Sequence, residues 1–147
     1  MSPSNTQFSI AVHLLAGLAF SKDGGRTSNA LSHSVNTCPS FVRRVVSKLS
    51  KANLVKTTSG RSGSCVLARR PEEISLLDIH EAVGGSRAFA IHEYPVQKEC
   101  PVSSHIKASL ETVLAQTTRA VERSLKETTL ADVMADIDVS GAMSAQA

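Results

Sequence analysis

Tryptophan is absent from this chain, tyrosine occurs once and phenylalanine four times. That shortage counts against a reader of single-stranded RNA or DNA, which stacks exposed rings on bases. No run of about eighteen or more apolar residues occurs, so no segment reads as membrane-spanning. Phe8 to Phe20 is apolar enough to resemble the hydrophobic part of a signal peptide. It lacks a basic lead, and no small-residue cleavage site precedes the polar Lys22-Asp23-Gly24-Gly25 turn, so it is read as the buried first helix of a cytoplasmic protein. The cysteines Cys38, Cys65 and Cys100 are odd in number and widely spaced, against a secreted disulfide framework. There is no Cys-x-x-Cys pair and no pair of histidines one helical turn apart, and no metal site is expected. A nucleophile elbow, a phosphate loop and a supported carboxylate pair are also missing, so the chain is not read as an enzyme.

Acids are nearly missing from the first half. Residues 1–70 carry ten Lys or Arg against Asp23 alone, whereas residues 71–147 carry six against twelve acids. The halves hold about +9 and −6, which together give a net charge of +3. A basic front end of this kind is the electrostatic footprint of a module that meets phosphate. At 147 residues the chain can bury one modest core with one appended helical element.

Asn5 or Thr6 caps a first helix to about Ser21, with Phe8, Val12, Leu15 and Ala19 at helical spacing. After a glycine-containing turn, Thr27 or Ser28 caps a second, short helix. Asn36-Thr37-Cys38 turns the chain, and Pro39 suits the first position of a third helix to about Ala52. Phe41, Val42, Val45, Val46 and Leu49 form one buried stripe there, leaving Arg43, Arg44, Ser47, Lys48 and Lys51 pointing elsewhere. Two β-prone runs, Leu54 to Thr58 and Cys65 to Ala68, flank a Gly- and Ser-rich tip carrying Arg61, which reads as a hairpin. The expected fold is mainly α with a small β-hairpin wing: a winged helix-turn-helix.

Pro71-Glu72-Glu73-Ile74 opens a further helix through Leu77, Ile79 and Val83, closed by Gly84-Gly85. Residues 86–100 show no period and read as a loop. Pro101 starts a helix to about Lys126, whose apolar side is Val102, Ile106, Leu110, Val113, Leu114, Val121 and Leu125. Roughly 25 residues make about 37 Å, more than a domain of this size can cover, and the simplest partner for the surplus face is a second copy. A short helix restarts near Thr129 and runs through Val133 and Ile137. The expected division is a DNA-binding domain over 1–84, a linker over 85–100, a helical dimerisation region over 101–138 and a flexible tail over 139–147.

On this layout Ser40 and Arg43, in the first turns of the third helix, are candidates for contacts to base edges. Thr27, Ser28, Thr37, Arg44 and Lys48 are candidates for phosphate contacts that fix register. Arg43 and Arg44 lie 100° apart, so one of the two can pair with an acid instead. Arg61 at the wing tip is a candidate minor-groove probe. Ile106, Leu110, Val113, Leu114 and Val121 are the candidate dimer interface. Cys38, just before a helix start and near Arg43, is a candidate redox-sensing thiol or a small residue filling a turn. Cys100 is either a sensor thiol or a packing residue at a helix start, and Cys65 is expected to pack within the wing.

Several ordered fragments carry a resemblance over nearly the whole chain. They are Arg43-Arg44-Val45-Val46-Ser47-Lys48-Leu49 with Ala52-Asn53-Leu54-Val55, and Ser59-Gly60 to Gly63. They continue with Val66-Leu67-Ala68-Arg69, Pro71 to Ile79, Cys100-Pro101-Val102 and Thr129-Leu130-Ala131-Asp132. In order and spacing they resemble the Rrf-two family of bacterial winged-helix regulators. The resemblance implies a homodimer joined through the long helix, bound to a pseudo-palindromic operator on double-stranded DNA, usually as a repressor. Iron–sulfur members of that family carry three cysteines, separated by five residues each, ahead of the long helix. Only Cys100 matches here, with Tyr94 and Ala88 at the other two positions. Cys100 with His105 and His92 supplies at most three donors and a single thiolate, too few for a cluster. The chain is therefore similar to the cluster-free, YwnA- and CymR-like branch, and no cofactor is expected.

The function expected is a sequence-specific DNA-binding transcriptional regulator, a dimeric repressor modulated by a signal for which thiol oxidation is one candidate. Two other readings stand beside it: a regulatory module that docks to a metabolic enzyme, and an iron–sulfur-dependent sensor of the same family.

Overall fold

Helix α1 (Ser4–Ala19) is apolar over most of its circumference, and it is buried accordingly. Ala11, Leu14, Leu15, Ala16 and Leu18 are its buried residues, while Phe8 and Val12 pack on the core half-exposed. The computed structural model describes residues 4–22, 24–58, 63–85 and 87–137. Helix α2 (Ser28–Val35) starts at Thr27, whose hydroxyl oxygen accepts from the Ala30 N–H at 3.1 Å. It ends at Asn36 in the left-handed region (φ 51°), a conformation that asparagine tolerates better than most residues. Helix α3 (Pro39–Lys51) has Pro39 in its first turn, where the missing N–H leaves nothing unsatisfied. Val42, Val45, Val46 and Leu49 are buried beneath it, while Phe41, the fifth residue of the expected stripe, is only half-buried.

Strands β1 (Val55–Thr57) and β2 (Cys65–Leu67) pair antiparallel in the register Val55 with Leu67, Lys56 with Val66 and Thr57 with Cys65. The wing has a third member that the sequence did not announce. Arg26 pairs with Cys65 through two backbone bonds, 3.0 Å and 2.7 Å, ahead of α2. That pairing brings Gly25 so close that a Cβ there would meet Val66 Cγ1 at 2.9 Å, and its φ of +146° also favours glycine.

The helix expected to open at Pro71 is instead two pieces. A 3-10 turn covers Pro71–Glu73, Ile74 is extended, and helix α4 (Leu76–Ala82) begins after Ser75. The break has a cause: Ser75 is a helix cap in its own right. Its hydroxyl accepts from Asp78 N–H and its own N–H donates to the Asp78 carboxylate, each at 3.0 Å.

Residues 87–100 carry no helix or strand, and helix α5 (Pro101–Glu127) follows. At 27 residues it is about 40 Å long, and none of its residues is fully buried. Helix α6 (Leu130–Ala135) then turns back into the core formed by the preceding elements. Thr129 caps it in the same reciprocal way with Asp132. Ser75 and Thr129 form an isolated bridge, with Leu76 N–H on Thr128 O at 2.9 Å and Leu130 N–H on Ile74 O at 2.8 Å. Two helix caps thus spring back to back from one pair of backbone bonds, and Leu130 lies wholly buried with Ile74 and Ile79. No helix among the described residues is long and apolar enough to cross a membrane.

Candidate nucleic-acid interface

The buried stripe of α3 dictates what its opposite face presents. At 100° per residue, Ser40, Arg43, Ser47 and Lys51 point away from the Val42–Leu49 side, and all four are exposed. Arg44 is exposed too, but its guanidinium lies over the Phe41 ring, 5.4 Å from the centroid. The sequence left an acid as a partner for one of the two arginines; the partner of Arg44 is this aromatic face. Lys48 turns to the other side and donates to Gln7 Oε1 of α1 at 2.8 Å. It therefore ties α3 to the first helix, while Arg43 and Lys51 pair with no acid among the described residues. Among the described residues the ion pairs are Arg69 with Asp78 and Arg70 with Glu73, so no acid neutralises the α3 cations.

The flanking candidates differ in how free they are. Thr27 is exposed, although its hydroxyl oxygen already caps α2. Ser28 is half-buried, close to the Cys65 thiol of the wing strand. Thr37 is half-buried and donates its backbone N–H to Ser32 O at 3.1 Å. Arg61 lies outside the described residues. Ser47 and Lys51 belong to the same face as Ser40 and Arg43 but were absent from the candidate contacts; the helical angle alone would have included them. Exposed Lys56 on β1 and Arg26 beside β2 extend the positive surface toward the wing, and only the strand pairing reveals Arg26.

Cys38 is the N-cap of α3 and is fully exposed. Its Sγ lies 3.0 Å from the Ser40 hydroxyl. That hydroxyl, then the backbone N–H groups of Ser40 and Phe41, and lastly the Arg43 charge hold the thiol below its ordinary pKa. Cys65 is the opposite case, since burial pushes its thiol up. Cys100 caps α5, its sulfur accepting from Ser103 N–H at 3.4 Å, and it is exposed.

On α5 the structure divides the candidate dimer residues between two flanks. Val102, Ile106 and Val113 fall within about 40° of one another, and Val102 and Val113 are 65% and 54% exposed. Leu114 and Val121 sit on the adjacent flank with Leu125 and face loop 87–93 across a groove.

Residues 4–136 match the Rrf2 family, described as an iron-dependent transcriptional regulator. YwnA of Bacillus subtilis (strain 168), named as an HTH-type transcriptional regulator, is 37% identical over 131 residues, which cover 88% of this chain and 96% of YwnA. The structure of CymR (YrzC), the global cysteine regulator of B. subtilis, gives a TM-score of 0.65 at 23% identity and covers 90% of this chain and 96% of CymR. The oxidised form of Staphylococcus aureus CymR gives 0.67 at 22% identity, covering 90% and 96%. The two CymR structures speak for the fold alone.

The iron in that family description calls for donors. Tyr94 and Ala88 stand where thiolates would be needed, and the Tyr94 hydroxyl is committed to Ser103 O at 2.6 Å. Cys100 is engaged at the start of α5, and His105 Nδ1 lies 2.8 Å from Pro101 O. Among the described residues no three His, Cys, Asp or Glu side chains converge as a metal site. This donor set does not fit an iron–sulfur cluster.

Proposed function

Because this DNA-binding chain belongs to the Rrf2 family of transcriptional regulators, we propose that it is a cofactor-free homodimeric repressor whose operator affinity falls when Cys38 is oxidised. The observation that carries the reading is the face of α3, where Ser40, Arg43, Ser47 and Lys51 project together and no acid among the described residues pairs with them. Ser40 and Arg43 in the first turns read base edges. Lys51 and the Thr27 end of α2 grip phosphate, Arg44 stays over the Phe41 ring, and Lys48 fixes the recognition helix against Gln7.

The outer flank of α5, with Val102, Ile106 and Val113, joins two copies. The dimer then holds two recognition helices about 34 Å apart, one duplex turn, and occupancy of the operator blocks polymerase. The chain carries no catalytic step and works in the cytoplasm.

The signal acts at the reading turn. The Cys38 thiolate attacks one oxygen of hydrogen peroxide, giving Cys–SOH and hydroxide. The added oxygen sits two residues from Ser40 and displaces the 3.0 Å contact between sulfur and hydroxyl. An oxidised form is described for S. aureus CymR; carrying oxidation over to this chain is part of the present reading.

The test is a fluorescence-anisotropy titration of the protein onto duplex DNA from upstream of its own gene, reduced and after hydrogen peroxide. Tight, salt-sensitive binding that peroxide weakens in the native chain but not in Cys38→Ser is the expected result. Binding no tighter than to random duplex in either state would sink the repressor reading. Equal peroxide sensitivity in Cys38→Ser would remove Cys38 from the mechanism.

A further inference from the structure

Loop 87–93 stands off from α5 and leaves between them a groove of about 1100 Å³. Sites for drug-sized molecules usually run from roughly 300 to 1000 Å³, so this space is slightly larger than that range. The groove is built from four parts of one chain. Helix α1 contributes Phe8, α4 contributes His80 and Val83, and the loop and α5 form the facing walls. Two of the chain's four phenylalanines line it, Phe8 and Phe89. Phe89 is 60% exposed, an unusual place for a ring in a chain with so few. Ala88, Ala90 and Ala115, also in the lining, keep the space open by being small.

Charge narrows the ligand. Arg87, Lys107 and Arg119 line the groove with Glu93, Glu111 and Glu122, three cations against three carboxylates. None of the six is ion-paired, since the pairs among the described residues lie elsewhere, at Arg69 and Arg70. A polyanion such as a nucleotide would meet as much repulsion as attraction. An aromatic body without net charge, with polar groups at its edge, would cover the apolar wall of Phe8, Phe89, Ile91 and Leu114 and leave the charged rim solvated.

The groove also touches the recognition helix through one intermediate. Phe8 packs edge-to-face on His80, centroids 5.8 Å apart at 78°. Its neighbour in sequence, Gln7, accepts the 2.8 Å hydrogen bond from Lys48 of α3. A molecule seated on Phe8 therefore bears on the turn of α1 that holds α3 in place.

We propose that this groove is an effector site for a small aromatic molecule of no net charge, whose occupation changes the setting of α3 through Phe8, Gln7 and Lys48. The regulatory half of this statement rests on the repressor reading above; the binding half does not.

The full-length protein is titrated with the uncharged fluorophore N-phenyl-1-naphthylamine, with 8-anilinonaphthalene-1-sulfonate as the anionic comparison. The expected result is saturable binding of the uncharged probe at one per chain, with the sulfonate weaker. Ala90→Trp fills the groove and Phe89→Ser removes one wall; each should weaken the probe at least tenfold. Both positions are exposed loop sites, and circular dichroism checks that each variant folds. Saturating probe should shift operator affinity at least threefold in the native chain and leave Ala90→Trp unmoved.

Absence of saturable binding, or binding unchanged in both variants, would overturn the site. So would binding seen only on dilution to monomer, because a second copy would then be the occupant. Since the probe signal involves no DNA, saturation without operator binding would fail the repressor reading and leave the site standing. Saturation with operator affinity unmoved would overturn the coupling.

Discussion

Replacing Arg43 with alanine separates the face proposed to read DNA from the face that holds the fold. Arg43 is exposed, pairs with no acid among the described residues and lies on the flank of α3 opposite Val42 and Leu49. Its loss should therefore leave stability within about 0.5 kcal/mol, as for surface positions free of special contacts. Binding should suffer. A base-edge contact is worth about 1–3 kcal/mol, so affinity for the operator should drop by about 5- to 160-fold, with less loss on random duplex. The comparison is Lys51→Ala on the same face, expected to act as a phosphate contact. One such contact contributes about 0.9 to the slope of log affinity against log salt, so raising salt fourfold should cost the variant about 3.5-fold less affinity than it costs the native chain. Lys48→Ala is the third member, and its bond to Gln7 places its effect on the seating of α3. The assay is anisotropy on operator and random duplex at several salt concentrations, with thermal unfolding alongside. An equal loss on both duplexes for Arg43→Ala would make it a phosphate contact. No loss on either would refute the assignment of this face.

Three further substitutions test other parts of the argument. Leu130→Ala removes a fully buried side chain of α6 and should destabilise the protein by about 2–5 kcal/mol in urea unfolding, whereas a change under about 1 kcal/mol would mean that α6 merely rests on the domain. Val113→Glu places a charge at a position 54% exposed in the single chain, so the fold should survive while sedimentation velocity shifts from dimer to monomer; an unaltered dimer would put the seam elsewhere. For Cys38, the lowered pKa means that thiolate appears at lower pH than for an ordinary exposed thiol. Its alkylation by iodoacetamide should therefore rise with pH through a midpoint below that of a model thiol, and Ser40→Ala, which removes the leading cause, should move that midpoint up; coincident profiles would refute the role of Ser40.

The elements with a strong internal period were legible because helix period, caps and turn residues act within a few neighbours. The α3 stripe, the Thr27 cap, Pro39 at the helix start and the span of α5 are all of this kind. The Pro71 region was misread for the same local reason. Its acidic first turn resembles a helix start, yet Ser75 and Asp78 make a stronger one four residues on.

The candidate site divides along the same line. The exposed face of α3 follows from a 100° rotation per residue, so Ser40 and Arg43 could be named from sequence. Which cation stays free could not. Lys48 finds Gln7 across 41 residues, and Arg44 settles on Phe41. The groove at loop 87–93 has no periodic signature, since its walls come from α1, α4, α5 and the loop.

The sequence by itself determined the class of fold and the basic face, because charge distribution and hydrophobic period are properties of neighbouring residues. The tertiary structure decided that Arg26 joins the wing, that Leu130 returns to the core, which α5 flank faces outward, and which cations remain available. Each of these rests on a contact between distant segments, and such contacts depend on how packed elements meet rather than on the pattern within any one of them.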